Sequence, residues 1–357
     1  MNLSEQFSRP LLAWFDLFGR KNFPWQHPKT AYRVWIAEIM LQQTQVQTVL
    51  PYFERFMASF PDVRQLADAS DDQVLAHWSG LGYYSRARNI HQTAKLVCAR
   101  FEGVFPSDLS DLISLPGIGE STAAAIASQA FNLPTAILDG NVKRVLSRYF
   151  MVDGAPELGA VKKSLWALAR ACMSHERPAD YTQAIMDLGA TCCTRSKPDC
   201  EHCPLRSTCQ AHLHDCVKAY PFAKVKKIRP TRQEQFLLLH TPDARMYLEK
   251  RPSPGLWGGL WCLPTIEWDA DAATHVRQAY DLNSEGVADI MDIEHSFTHF
   301  HLQIKARSVA VVDTAGLGTG QWFQWAELKH IGLAKPVNQI IQRFSSGADS
   351  VPSATDK

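Results

Sequence analysis

The chain has 357 residues, a formal net charge of +1 and 46% hydrophobic residues. That length favours two domains, each large enough for its own core. No run approaches the roughly 18 apolar residues of a membrane span, and the start, MNLSEQFSRPLLAWF, lacks the basic region and cleavage site of a signal peptide. The expected location is cytosolic, nucleoid-associated if the source is bacterial, with no membrane partner. A balanced charge excludes a global field that would attract nucleic acid. Any such contact must come from local clusters such as Arg86/Arg88, Lys143/Arg144/Arg148 or Lys224–Arg232.

Residues 4–19 repeat apolar side chains at helical spacing, and Gly19 stops them. Phe23-Pro24-Trp25-Gln26 reads as a loop. The pattern predicts a helix over 31–47, ended by the uncharged polar Gln42-Gln43-Thr44. Within it Glu38 sits among Val34, Trp35, Ile36, Ile39, Met40 and Leu41. A carboxyl in such surroundings has a raised pKa and can act as a general acid near neutral pH. Helices are expected at 49–59, 63–69, 71–78, 86–100 and 107–114. Before the helix 86–100 stands Gly80-Leu81-Gly82-Tyr83-Tyr84-Ser85-Arg86, a glycine turn with aromatics and arginine that suits stacking beside phosphates.

Leu115-Pro116-Gly117-Ile118-Gly119 then turns tightly into an alanine-rich helix. Gly117 and Gly119 allow close backbone approach, and the unpaired N–H groups at the helix start suit a phosphate. In Ile137-Leu138-Asp139-Gly140-Asn141-Val142-Lys143-Arg144, Asp139 is a good helix N-cap. Further helices are expected at 141–149, 157–173 and 178–190. Five of nine cysteines follow between Cys192 and Cys209. The spacing Cys193-x6-Cys200-x2-Cys203-x5-Cys209 suits a metal centre better than disulfides in a reducing compartment. Spacing alone does not separate zinc from iron–sulfur.

Residues 23–217 resemble the endonuclease III, or helix–hairpin–helix, superfamily of DNA glycosylases, carried by Leu115–Thr122, Leu138-Asp139-Gly140 and the cysteine loop. The set LQQTQV (41–46), GLGYYSRARN (80–89), ILDGNVKR (137–144) and MDLGA with CTRSKP (186–198) is similar to the MutY-type adenine DNA glycosylases. The resemblance implies one 4Fe–4S cluster on Cys193, Cys200, Cys203 and Cys209. Bifunctional members carry a Schiff-base lysine where this chain has Ser121, and a hydroxyl cannot form that imine. It therefore implies hydrolysis of the N-glycosidic bond to an abasic site, with Glu38 protonating a flipped adenine and Asp139 stabilising the oxocarbenium-like sugar. Trp25, Leu41 and Gln183 would line the base pocket. Gln43 and Tyr83 would fill the stack. Thr44, Arg86, Asn141 and Lys143 join the expected DNA contacts. The rival readings are an endonuclease III-type pyrimidine glycosylase and lyase, and a non-catalytic damage-binding scaffold.

After a Pro- and Lys-rich linker at 218–232 the composition changes. A hairpin is expected at 235–240 and 246–250, a helix at 269–280, strands near 290–296, 299–313 and 321–324, and a helix at 336–345. Residues 346–357 read as a disordered tail. This α+β domain, 233–345, resembles the MutT (Nudix)-like domain of the same family, but Val276-Arg277-Gln278-Ala279 lacks the acidic Nudix helix. Recognition rather than pyrophosphate hydrolysis is implied, with Phe297-Thr298-His299 where the family reads 8-oxoguanine by Phe-Ser-His. The expected architecture is a mainly α domain over 1–217, divided into a six-helix module at about 30–134 and an N-terminal helix plus 135–217 iron–sulfur module, followed by the recognition domain. The expected partner is double-stranded DNA with an adenine:8-oxoguanine or adenine:guanine mispair, bound by a monomer.

Overall fold

The computed structural model describes residues 3–223, 228–253, 255–312, 314 and 320–348. Packing divides the chain into two compact units, Met1–Ala67 with Gln92–Lys226, and Asp68–His91 with Lys227–Lys357. The sequence reading drew one helical domain through 217. Residues 68–91 instead group with the C-terminal part of the chain.

The first unit is helical: α1 (Leu3–Phe18), α2 (Ala31–Leu41), α3 (Val46–Ser59) and α4 (Val63–Asp68) precede the division. Next come α5 (Asp71–Trp78) in the second unit and α6 (Ser85–Phe101), within which the division falls. The first unit continues with α7 (Leu109–Ile113), α8 (Glu120–Phe131), α9 (Gly140–Tyr149), α10 (Gly159–Cys172), α11 (Pro178–Asp187) and α12 (Gln210–Leu213). The helix predicted over 31–47 stops at Leu41, and Val46 and Gln47 instead open the next helix, expected from 49. Gln42 N donates to Ile39 O at 3.3 Å and Thr44 N to Leu41 O at 3.2 Å, closing a turn that holds Gln43 at φ +58. The α7–α8 hairpin turns at Gly117, whose φ of +78 favours a residue without a Cβ. Buried Ala123, Ala124, Ala125 and Ala127 let α8 pack closely against α2 and α11. A second part of this core joins α1, α9, α10 and α11 through Phe7, Leu11, Leu146, Leu165 and Ile185.

The second unit is built on a seven-stranded sheet of order β3-β2-β1-β6-β5, from β1 (Thr231–His240), β2 (Arg245–Lys250), β3 (Trp261–Cys262), β4 (Thr265–Glu267), β5 (Ser284–Ser296), β6 (His301–Val311) and β7 (Gln321–Gln324). β4 pairs with β1, and β7 with β2. Only β1 and β6 run parallel among the described pairs of strands. α13 (Ala272–Tyr280) places Val276 and Tyr280 on Leu237, Leu239 and Val309. α5 and the start of α6 are tied to this sheet: Trp261 Nε1 donates to Asp72 Oδ1 at 3.3 Å, Lys250 pairs with Asp72 at 2.9 Å, and Tyr84 Oη donates to Leu333 O at 3.3 Å. α14 (Lys335–Ala348) runs past the expected start of the tail at 346, and 349–357 lie outside the described residues. Among the described residues no helix is long and apolar enough to cross a membrane.

Candidate active site

Glu38 lies two-thirds along α2, half-buried between fully buried Trp35, Ile36 and Met40. Gln129 on α8 donates Nε2 to its Oε1 at 3.1 Å. Burial pushes the carboxyl up to about 7, with Asp139 adding to the rise and Gln129 opposing it. The apolar neighbours in the sequence foretold this direction. Asp139, 101 positions later, caps α9. Its Oδ1 accepts from Val142 N at 2.7 Å and its Oδ2 from Asn141 Nδ2 at 3.2 Å. Burial raises this carboxyl above the ordinary range, while those donors and the Arg144 charge pull it back. Ser121 Oγ accepts from Leu138 N at 3.0 Å, so the hydroxyl fixes the backbone next to Asp139. The pair combines a carboxyl that keeps its proton near neutrality with one bathed in donors.

Around this pair the sequence candidates fall into place unevenly. Trp25 is 4% exposed, stacked on Phe23 at 4.8 Å and edge-on to Phe53 at 5.4 Å. Gln183 on α11 is buried and donates Nε2 to Asp187 Oδ1 at 2.8 Å. Leu41 ends α2, Gln43 is exposed on the turn after it, and Thr44 Oγ1 donates to Gln42 O at 3.3 Å. Gly117 and Gly119 are exposed in the α7–α8 hairpin, and open space surrounds Gly119 at the start of α8. Lys143 is half-buried in the first turn of α9.

Tyr83, Arg86 and residues 297–299 belong to the second unit. Tyr83 is 45% exposed at φ +50. Arg86, expected at phosphate, is instead 7% exposed. Its guanidinium sits 5.5 Å from the Tyr83 ring and 5.3 Å from Trp78, and Nη2 donates to the carbonyls of Leu81 and Gly82. Phe297-Thr298-His299 occupies the β5–β6 turn, with Phe297 stacked on Phe300 at 4.6 Å and 5.3 Å from Trp257. Thr298 and His299 are exposed. Tyr83, Arg88, Trp257, His295, Phe297 and Thr298 line one cleft of about 370 Å³. The structure thus brings together a tyrosine and a loop more than 200 positions apart in sequence.

Cys193, Cys200, Cys203 and Cys209 line a single pocket, and all nine cysteines are free thiols. Among the described residues no three His, Cys, Asp or Glu side chains are grouped so as to hold a metal ion. Arg148, 2% exposed, donates to Cys193 Sγ at 3.3 Å and to the carbonyls of Thr194, Arg195, Val217 and Tyr220. The side chains are not grouped as a closed ligand set, but a buried guanidinium against the Cys193 sulfur, in a pocket lined by five cysteines, suits an anionic thiolate-held group. Cys192 lines the same pocket, and its Sγ donates to Asp199 O at 3.1 Å. Arg144 joins the loop to the carboxylate: it donates to Cys193 O at 2.8 Å, Gly189 O at 2.6 Å and Asn141 Oδ1 at 2.8 Å. Gly189 makes this possible, since a Cβ there would lie 2.6 Å from Asn141 Cβ. Sequence reasoning missed Gln129, Asp187 and the structural roles of Arg144 and Arg148, which carry no local signal.

Residues 36–171 match the HhH-GPD superfamily of base excision DNA repair proteins, and residues 235–343 match a NUDIX domain. The adenine DNA glycosylase of Buchnera aphidicola subsp. Acyrthosiphon pisum is 36% identical over 342 residues, spanning 95% of this chain and 97% of that protein. The human adenine DNA glycosylase is 32% identical over 403 residues, 95% of this chain and 74% of that one. Among solved structures, a thermostable thymine-DNA glycosylase superposes with a TM-score of 0.54 at 26% identity, covering 59% of this chain and 97% of its own. An endonuclease III trapped on DNA shares the fold, at a TM-score of 0.50 and 19% identity over 58% of this chain and 95% of its own. With relatives aligned over nearly its whole length, the chain belongs to the adenine DNA glycosylase family of base excision repair enzymes.

Proposed function

We propose that this enzyme removes adenine mispaired with 8-oxoguanine or guanine in double-stranded DNA and leaves an abasic site in an unbroken strand. The observation that carries the reading is the Glu38 carboxyl, raised to about 7 beside Asp139. Adenine leaves deoxyribose poorly as an anion. Glu38 donates its proton to the base as the C1′–N9 bond breaks, and the bonding pair departs with adenine. Asp139 offsets the positive charge at C1′. Water then supplies hydroxide to C1′, and its proton restores Glu38. Ser121 offers no amine for an imine, so the sugar stays in the strand, hydrolysed at C1′ rather than opened by a lyase step. Neither carboxyl can reach a stacked base, so the nucleotide is flipped. Trp25, Leu41 and Gln183 receive it. Gln43 and Tyr83 fill the stack, and Phe297, Thr298 and His299 read the opposite purine. Gly117, Gly119, Thr44, Asn141 and Lys143 contribute to the DNA face, and Arg86 acts through Tyr83.

Cys193, Cys200, Cys203 and Cys209 would hold one 4Fe–4S cluster, which when bound cross-links the loop through iron–thiolate bonds. Arg148 and Arg144 brace the same loop from the protein side. The enzyme works as a monomer in the cytoplasm.

The test is single-turnover cleavage of duplexes with adenine opposite 8-oxoguanine, guanine or thymine, with and without alkali. Strand breaks only after alkali, and only with the two mispairs, are expected. Breaks without alkali would show a lyase and overturn the role given to Ser121. No adenine release would favour a damage-binding scaffold.

A further inference from the structure

Asp187 closes α11 with a side chain only 1% exposed. Arg20 surrounds it. Its backbone N donates to Oδ2 at 2.8 Å, and Nε and Nη2 donate to Oδ1 at 2.9 and 2.7 Å. The same Oδ1 accepts from Gln183 Nε2. A carboxylate paired this way offers acceptors only. The Gln183 amide must therefore turn its NH2 group inward, and its Oε1 accepts no hydrogen bond among the described residues. One residue earlier, Thr182 Oγ1 and Ser128 Oγ lie 2.7 Å apart, locking α11 to α8. Ser128 precedes Gln129, the donor to Glu38. Gln183 thus sits on the helix pair that supports Glu38. Arg20 also reaches the other wall: its guanidinium lies 5.0 Å from the Phe23 ring, on which Trp25 stacks, and its carbonyl accepts from Gln26 Nε2 at 3.1 Å.

We propose that Asp187, held by Arg20, is a positioning residue that fixes the hydrogen-bond polarity of Gln183, so that an acceptor faces the flipped base and selects a purine with an amine at C6 over one with a carbonyl there. The inference rests on the reading that the Glu38 pocket receives adenine. Adenine donates from its 6-amino group. Hypoxanthine and guanine present a carbonyl, which would face Gln183 Oε1 acceptor to acceptor. A site that leaves such groups unpaired rejects the wrong base strongly.

The test compares single-turnover excision of adenine and of hypoxanthine opposite the same base, together with thermal unfolding of each variant. The wild type is expected to release adenine at least tenfold faster. Asp187→Asn supplies a carboxamide that can also donate, so the Gln183 amide can turn over. The adenine rate is expected to fall at least tenfold and the hypoxanthine rate to hold or rise, bringing the ratio towards one. Equal loss on both bases, or an unchanged ratio, would overturn the proposal. Gln183→Leu removes the amide and leaves the Arg20–Asp187 pair intact. It must level the two bases as well, even where Asp187→Asn does not fold, and a retained preference for adenine would overturn the proposal. Wild-type release of adenine, abolished by Glu38→Gln, is the control. Its failure refutes the adenine reading, whereas its success with an unchanged ratio refutes the polarity argument alone.

Discussion

Glu38→Gln keeps the shape of the side chain and an acceptor for Gln129, while removing the only proton that titrates there. Lifting the carboxyl from 4.5 to about 7 means the folded protein binds that proton more tightly than the unfolded chain. Its stability contribution is complete below 4.5 and is lost as pH rises through about 7. At 1.36 kcal/mol per pH unit the ionised form costs the fold about 3 kcal/mol. The Gln variant escapes that cost. Its stability relative to wild type is therefore expected to rise by about 3 kcal/mol between pH 4.5 and 8. With roughly 2–4 °C per kcal/mol for a unit of this size, the melting temperatures should diverge by about 6–12 °C over that range. The same variant should lose at least about a hundredfold in single-turnover adenine release. In wild type, release should fall tenfold per pH unit above about 7. Thermal melts of both proteins at pH 5 and pH 8 decide the matter. A gap in melting temperature that stays constant across pH would refute the burial argument, and a fully active variant would refute the acid role.

Three further outcomes follow from the same geometry. Asp139→Asn retains an acceptor for Val142 N, so α9 keeps its cap and duplex affinity should change less than threefold, while excision falls by about 10² or more; comparable excision would remove Asp139 from the chemistry. Ser121→Ala deletes the acceptor of Leu138 N and should cost about 1 kcal/mol in unfolding experiments, with a slower excision step from the loosened Asp139 backbone. Cys200→Ala should abolish absorbance near roughly 400 nm and lower the melting temperature; an unchanged spectrum and melting curve would refute the cluster assignment.

Much of this was written locally. The cap at Asp139 needs only its neighbours, and Val142 N does donate to it. The direction of the shift at Glu38 follows from the apolar side chains beside it along α2, to which distant Asp139 adds. The cysteine spacing announces a shared pocket within a 17-residue stretch. What stayed hidden depends on distant partners. Gln129 is 91 positions from Glu38, and Arg20 is 167 from Asp187. No periodicity encodes such pairs. The surroundings of Arg86 were hidden for a related reason: the Leu81 and Gly82 carbonyls that accept from its guanidinium converge on it only once the turn has folded. The grouping of 68–91 with the C-terminal sheet was equally invisible, because Asp72 and Tyr84 find their partners at Trp261 and Leu333. The hairpin break at Gln43 was half legible, since the polar run marked the helix end but not the left-handed residue within it.

The Ser121 hydroxyl has a consequence for the order of events on damaged DNA. Accepting from the backbone N–H of Leu138 and offering no amine, it leaves the proposed reaction at a missing base, with the sugar–phosphate chain continuous. A continuous strand keeps the duplex tethered while the mispaired base of the proposed substrate still sits opposite. Two cuts facing each other would sever the duplex, and the proposed reaction supplies neither of them. The timing of the first nick passes to whatever next opens the baseless sugar, so excision and incision become separately controllable steps.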